Sequence, residues 1–561
     1  MKKISLKIIF LIFLSISLLR KASGIPYDSS LSEPDPAFLK YEYVDIYKPF
    51  FKKVHRGNEY IYVPQRLRHN SKEFPLAKAP NTIRIFILGG SVANAFDSAY
   101  FEKILKDFTP NSKFEIINCA MCAYDSFRTH LITEEILNYK PDLIIVISGN
   151  NEYYKKVKID LGVYYLNKFL RKWSSFRTLE DWFRSWSYGR RFIYPINIKK
   201  RFVSYERNIR DIVKKAKFKG VPIILCTLPV NFRDCPPGGE SPLDKQFLLG
   251  QFFLYNKDYF NAISAFERFL EANPSNPFGY YFLARTYDMM ANYEKAKKYY
   301  LEALKLDFYG RATPDINKII RQICLEEEVG LAEVELMFLS IAKHGLLGLE
   351  QFHDHCHFYK EYYAVVEEVI SGEIFQNDKI YSCLFSSNRF KFKNFSFYQD
   401  FPSLKERGQM ESYSESIVIT AIVEAITNPC VSERAILYFE KVYEMDPDLL
   451  WGIRFSKQKF KTFFLDNFWT SDISDSNFEA AWTNILYIIR ESYRRLGLYT
   501  EALGYFNTVM ALDETFYLPY LGRALIYYVM GERLKAQKDI EKAKEISGSQ
   551  EVEYYREILG L

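Results

Sequence analysis

Histidine is scarce in this chain, 7 in 561 residues. A dominant charge is also missing: 75 Lys and Arg stand against 69 Asp and Glu, a net charge of +6, and no basic domain with a nucleic-acid motif stands out, so nucleic acid is not an expected partner. Its 8 cysteines (Cys119, Cys122, Cys226, Cys235, Cys324, Cys356, Cys383 and Cys430) follow no framework spacing, which excludes a disulfide-built scaffold. Cys119-x-x-Cys122 is a lone pair after an apolar strand; with no second pair to complete a zinc site, it reads as packing. Apolar runs of transmembrane length are absent, and Ile8 to Leu19, behind Lys2, Lys3 and Lys7, matches the core of a signal peptide. Export is therefore expected, to a periplasmic, secreted or membrane-anchored location. Arg20 and Lys21 beyond that run leave an uncleaved anchor, and membrane association through residues 1–24, as the alternative to cleavage at Ala22 to Gly24.

Against that scarcity, three of the histidines fall in one heptapeptide, Gln351-Phe352-His353-Asp354-His355-Cys356-His357. Three readings fit it. Asp354 and His357 can form an Asp-x-x-His pair in which the carboxylate orients an imidazole acting as general base. Alternatively His353, His355 and His357 project to one face of a strand and bind a metal, or the segment is a solvated turn. The choice depends on the rest of the chain.

A hydrophobic content of 48% excludes global disorder, and the length suggests three or four domains. Residues 25–80 are polar and punctuated by proline, a lead-in with a few short elements. From Thr82 the pattern becomes alternating apolar runs and helical stretches: Ile83 to Leu88, Phe114 to Asn118, Leu143 to Ile147 and Val221 to Thr227. Continuous apolar runs alternating with helices predict a parallel sheet covered on both faces, and function in such sheets gathers beyond the carboxyl ends of the strands. Just past three of these runs stand Gly89-Gly90-Ser91, Asn118 to Tyr124 and Gly149-Asn150-Asn151-Glu152.

With Asp354-His355-Cys356-His357, these make four short blocks in fixed order, and the set resembles the signature of the SGNH (GDSL-like) hydrolase superfamily over about residues 80–240 and 330–370. The resemblance implies a three-layer, flavodoxin-like α/β hydrolase. Ser91 would be the nucleophile, His357 its general base and Asp354 the group orienting the imidazole. Gly89 and Gly90 would form the nucleophile turn; Ser91 N–H, Ala123 N–H and the Asn151 amide would form the oxyanion hole. No cofactor and no metal is implied. Gly90 stands where the family has aspartate, and Ala123 where it has glycine, which strains a backbone that needs positive φ.

Elsewhere the period changes. Residues 155–201 are rich in Lys and Arg and carry Trp173, Trp182 and Trp186, either a lid offering cations to an anionic substrate or lipid headgroup, or a helix pair with its aromatics packed inward. Leu249 and Leu283, Gly250 and Ala284, Ala262 and Ala296, and Phe266 and Tyr300 lie 34 apart, the tetratricopeptide period. Tyr493 and Tyr527, Gly497 and Gly531, Ala502 and Ala536, and Phe506 and Ile540 repeat it, with a half-match at Ala435, Phe439 and Pro447. A helix around Ile319 to Leu347 is expected to return the chain to the rim.

The expected organisation is a signal segment at 1–24, a lead-in at 25–80 and hydrolase at 81–242. A tetratricopeptide-like insertion at 243–312, closing hydrolase at 313–375, a connector at 376–412 and a helical array at 413–561 follow. The expected function is an exported esterase or acyl-esterase acting on a small-molecule, glycan or lipid ester, with a protein partner on the repeats. The rival is a non-catalytic scaffold that binds envelope proteins and keeps a degenerate hydrolase domain.

Overall fold

The computed structural model describes residues 48–57, 59–65, 71–152, 161–170, 172–173, 198–307, 310–385, 417–418, 420–422, 432–445 and 475–561. The chain divides into two units, Met1–Pro49 with Tyr153–Val203, and Phe50–Glu152 with Ser204–Leu561. Residues 1–24, Trp182, Trp186, Pro447 and residues 386–412 of the connector lie outside the described residues.

The four expected apolar runs are strands. They are β4 (Thr82–Gly89), β5 (Lys113–Asn118), β6 (Leu143–Ile147) and β7 (Ile223–Cys226), joined by a three-residue β8 (Gly330–Ala332). Their order is β5-β4-β6-β7-β8, every pairing parallel. Counted along the sheet's own strands this is 2-1-3-4-5, so the order reverses between β4 and its neighbours and a crevice opens at their carboxyl ends. All residues of β4 and β6 are buried, which explains why both read as unbroken apolar runs.

The exception in β4 is Arg84, fully buried, whose guanidinium reaches Glu115 at 2.6 Å, Tyr139 O at 2.7 Å and Pro75 O at 2.9 Å. A buried cation is tolerated when its hydrogen bonds are made. Here they tie the sheet to the lead-in, which folds as a small antiparallel sheet of β1 (Phe51–Arg56), β2 (Glu59–Pro64) and β3 (Phe74–Pro75).

Helices α1 (Ser91–Asn94), α2 (Ser98–Phe108) and α3 (Ser126–Ile136) follow β4 and β5. In the other unit, α4 (Leu161–Leu170) leaves Tyr165, Phe169 and nearby Trp173 exposed, so on this helix the aromatics do not all turn inward. Helix α5 (Ile198–Phe218) precedes β7.

The insertion is two helical hairpins, α6 (Lys245–Tyr255) with α7 (Tyr259–Ala272) and α8 (Pro277–Met289) with α9 (Tyr293–Leu306). The 34-residue register is visible at both turns: Lys257 and Ala291, 34 apart, sit at φ 63° and 58°. Ala262, Ala284 and Ala296 are fully buried where helices cross. A Cβ added to Gly250 would lie 2.5 Å from the Phe266 ring. Gly250→Ala should therefore destabilise the protein by about 1–3 kcal/mol, the usual cost of overpacking, read as a lowered denaturant midpoint with unchanged slope.

The chain from Pro314 departs from expectation. Instead of one long helix it forms α10 (Pro314–Glu327), strand β8, α11 (Val334–Ile341) and a short 3-10 turn at Lys343–Gly345. Glu328, left-handed at φ 53°, ends α10 and lets the chain reverse into the sheet edge. Helices α12 (Lys360–Gln376) and α13 (Asp378–Leu384) follow. Glu367 of α12 accepts the Asp97 N–H at the start of α2.

The C-terminal helices are α14 (Glu433–Met445), α15 (Asp475–Arg495), α16 (Tyr499–Leu512), α17 (Leu518–Val529), α18 (Arg533–Ser547) and α19 (Gln550–Leu559). They share a core with the insertion. Leu248 of α6 packs among Leu521, Ile540 and Leu559, Arg285 of α8 pairs with Glu440, and Arg495 reaches both Glu433 and the Tyr255 hydroxyl. The two repeat segments, 34-periodic in separate stretches of sequence, are thus one packed body.

Candidate active site

The last residue of β4, Gly89, carries φ +150°, and a Cβ there would fall 1.9 Å from Ile147 O on β6. Only glycine lets the chain turn so tightly against the neighbouring strand. Ser91 then opens α1, so its N–H has no acceptor within the helix and its hydroxyl stands at the rim. Asn118, at the end of β5, fixes this turn from the side: its amide donates to Ala93 O at 2.8 Å while its carbonyl accepts Ala120 N–H at 3.0 Å. One side chain thereby joins the first two blocks.

The Asp354 to His357 segment is a tight turn, closed by a bridge between Phe352 and Phe358 and by His353 N–H donating to His357 O at 3.1 Å. It is not a strand, so the three histidines do not share a face. His353 stacks on His357 with ring centroids 5.7 Å apart, and His355 points toward Gly310. Among the described residues, the metal-type groups within reach of one another are instead Asp354, Cys356 and His357, with ligand atoms inside 4.8 Å. Asp354 organises the turn. One carboxylate oxygen accepts the backbone N–H groups of Cys356 (2.8 Å) and His357 (2.7 Å), and the other meets His357 Nδ1 at 2.5 Å. The opposite ring nitrogen, Nε2, lies 2.6 Å from Ser91 Oγ. Ser91, His357 and Asp354 therefore form one continuous hydrogen-bonded line.

The Asn151 amide lies beside the nucleophile turn, and the expected third donor, Ala123, has the backbone its role requires. Ala123 has φ 62°, the left-handed backbone that a glycine in this block would adopt without strain. Asn151 donates one amide hydrogen to Tyr124 O at 3.1 Å, and a Cβ on Gly90 would lie 2.4 Å from the same nitrogen. The Asn151 amide thus rests on the nucleophile turn with a second N–H to offer. Gly90, with no side chain, provides the space.

Electrostatics follow the geometry. Burial pushes the Asp354 carboxyl up, but His357 and His355 with the His357 hydrogen bond outweigh it and hold it well below the usual range. For His357, burial acts to lower the pKa, and the opposing charges of Cys356 and Asp354 with the Asp354 hydrogen bond raise it well above 6.5. Burial raises the Cys356 thiol, yet His355 and His357 bring it down to about 7.

No curated protein matches this chain. A family model described as a tetratricopeptide repeat matches residues 279–309, which span most of α8 and all of α9. Among solved structures, a GDSL-like lipase from Bacteroides thetaiotaomicron is 11% identical, aligned over 52% of this chain and 88% of its own, at a TM-score of 0.26. A catalytic mutant of an acetylxylan esterase from Geobacillus stearothermophilus is 12% identical over 52% of this chain and 94% of its own, at 0.28.

Three polar residues of the rim have no role in the expected site, although Asn118 and Asn150 lie inside its blocks. Asn118 joins two blocks as described, Asn150 accepts the Ala312 N–H at 2.8 Å, and Asn231 donates to Asp354 O at 3.1 Å. Asn118 ends β5, Asn150 lies three residues past β6 and Asn231 five past β7, so asparagine near a strand's carboxyl end is the available signal.

Proposed function

We propose that this protein is a serine hydrolase of carboxylic esters, with Ser91 as nucleophile, His357 as general base and Asp354 as its orienting carboxylate. The observation that supports it best is the line Asp354–His357–Ser91, with contacts of 2.5 and 2.6 Å, joining residues 266 positions apart. In the reaction, Ser91 Oγ attacks the ester carbonyl while its proton passes to His357 Nε2. The oxyanion meets the N–H groups of Ser91 and Ala123 and the free N–H of Asn151. Collapse expels the alcohol, which takes the proton from His357, and leaves an acyl group on Ser91; water, giving its proton to His357, then attacks the acyl carbon, and collapse releases the acid as Ser91 Oγ takes the proton back from His357. Asp354 holds the tautomer and stabilises the imidazolium throughout.

An exported enzyme, directed by residues 1–24, would meet esters on glycans or lipids, and the repeats would bind a protein. N-terminal sequencing of the mature protein tests the export reading. The test of catalysis is labelling of the full chain with a fluorophosphonate probe followed by peptide mapping. Label on Ser91 supports the hydrolase, and folded protein that takes no label supports the scaffold reading.

The raised pKa of His357 sets a pH dependence. Below that pKa the imidazole is protonated and cannot accept the Ser91 proton, so kcat/KM should rise with pH, its acid limb centred above 6.5. Cys356→Ala removes one of the anions responsible and should move the limb toward acid pH; an unmoved limb would rule the thiolate out as a cause.

A further inference from the structure

Resting on the hydrolase reading, we infer that Arg434, on the C-terminal helix α14, is a positioning residue for the reaction, acting through a buried polar chain that ends on the Asp354–His357 turn. The chain can be followed atom by atom. Arg434 Nε donates to Pro236 O at 2.7 Å, and its Nη2 lies 3.5 Å from Asp307 Oδ2. That same oxygen of Asp307, at the end of α9, receives Arg311 Nη2 at 2.5 Å and Nε at 2.9 Å. Arg311 Nη1 donates to Asn231 O and, at 3.0 Å, to Cys235 O. Asn231 closes the path, its N–H donating to His355 O and its amide to Asp354 O, both at 3.1 Å.

Arg434, Asp307, Arg311 and Asn231 are each no more than 2% exposed. Two buried arginines share one buried carboxylate, an arrangement whose stability depends on every hydrogen bond being kept, so it holds one geometry rather than many. Arg311 also leads directly into Ala312, whose N–H donates to Asn150, the residue before Asn151. One rigid node therefore supports both the base turn and the oxyanion amide.

A second strut runs parallel. Asp234 Oδ2 accepts the Leu349 N–H at 2.9 Å while Oδ1 lies 3.7 Å from Lys441, also on α14. The inserted hairpins grip the same segment, since Arg233 is bidentate to Asp288 and the Tyr281 hydroxyl donates to Arg233 O. Residues 231–236 are thus held on one side by the helical body and hold the base turn on the other. A helix that merely extended the core would need no such chain of directed bonds.

The Ser91–His357 contact tolerates little displacement, since a shift of about 1 Å in a reacting group can cost roughly 100-fold in rate. In the full-length protein, Arg434→Met and Asn231→Ala should each lower kcat on p-nitrophenyl acetate about 10- to 100-fold with KM nearly unchanged. The double variant should be no worse than the poorer single one, and Arg434→Lys should recover part of the loss. Full kcat in folded Arg434→Met, or losses that multiply in the double variant, would overturn the inference. Should Arg434→Met fail to fold, Arg434→Lys takes its place: a lowered kcat at constant KM supports the chain and wild-type kcat refutes it. A wild-type protein that neither hydrolyses nor labels would sink the hydrolase reading alone. Hydrogen exchange at residues 351–357 in the Arg434 variant then decides, faster exchange than wild type supporting the connection and equal exchange refuting it.

Discussion

Replacing Ser91 by alanine should abolish fluorophosphonate labelling and lower kcat by on the order of 10⁶-fold, the loss seen when the nucleophile of a serine protease is removed. His357→Ala should cost a similar factor, and the double variant no more, because either change alone breaks the same proton path. The physical ground is that both contacts of His357 are already made in the resting protein, Nδ1 to Asp354 at 2.5 Å and Nε2 to Ser91 at 2.6 Å. Steady-state kinetics on a short acyl ester, with unfolding curves to show that both variants remain folded, would read this. Activity that survives Ser91→Ala within tenfold would assign the chemistry elsewhere.

The second large effect concerns folding. Gly89→Ala places a methyl carbon 1.9 Å from Ile147 O, a backbone atom at the end of the sheet's middle strand, and demands φ +150° of a residue with a side chain. Neither strand can withdraw without breaking the β4–β6 ladder that pairs Gly89 with Ile147. A loss of more than about 4 kcal/mol is expected, in the range reserved for core disruption, so the variant should accumulate as insoluble protein. A soluble Gly89→Ala with a wild-type unfolding midpoint would mean that the turn is built differently.

How much of this was legible before the structure depended on the range of each interaction. The four strands and the rim were readable because buried parallel strands are nearly all apolar and their carboxyl ends are marked by Gly, Ser and Asn. The 34-residue recurrences were readable because they are local and repeat. Strand β8 was not: three residues, Gly330 to Ala332, between two helices leave no period to detect, and the stretch read as one helix. Of the readings open for residues 353–357, the shared strand face is the one that fails: the Asp354 carboxylate bends the segment into a turn by accepting two backbone N–H groups. The single body formed by the two repeat segments was equally hidden. Nothing in the pattern around Leu248 indicates that it will pack on Leu559, more than three hundred residues later, and nothing near Arg434 names Asp307.

Ser91 and His357, the proposed nucleophile and base, are separated by the whole of the helical insertion, and the buried bonds leading to the Asp354–His357 turn begin later still, at Arg434. A ribosome making this chain completes the sheet strand that ends at Gly89 long before it reaches position 357 or 434. A half-made polypeptide would thus expose a serine with no partner to activate it, and would remain chemically silent until nearly all of the molecule had emerged and closed on itself.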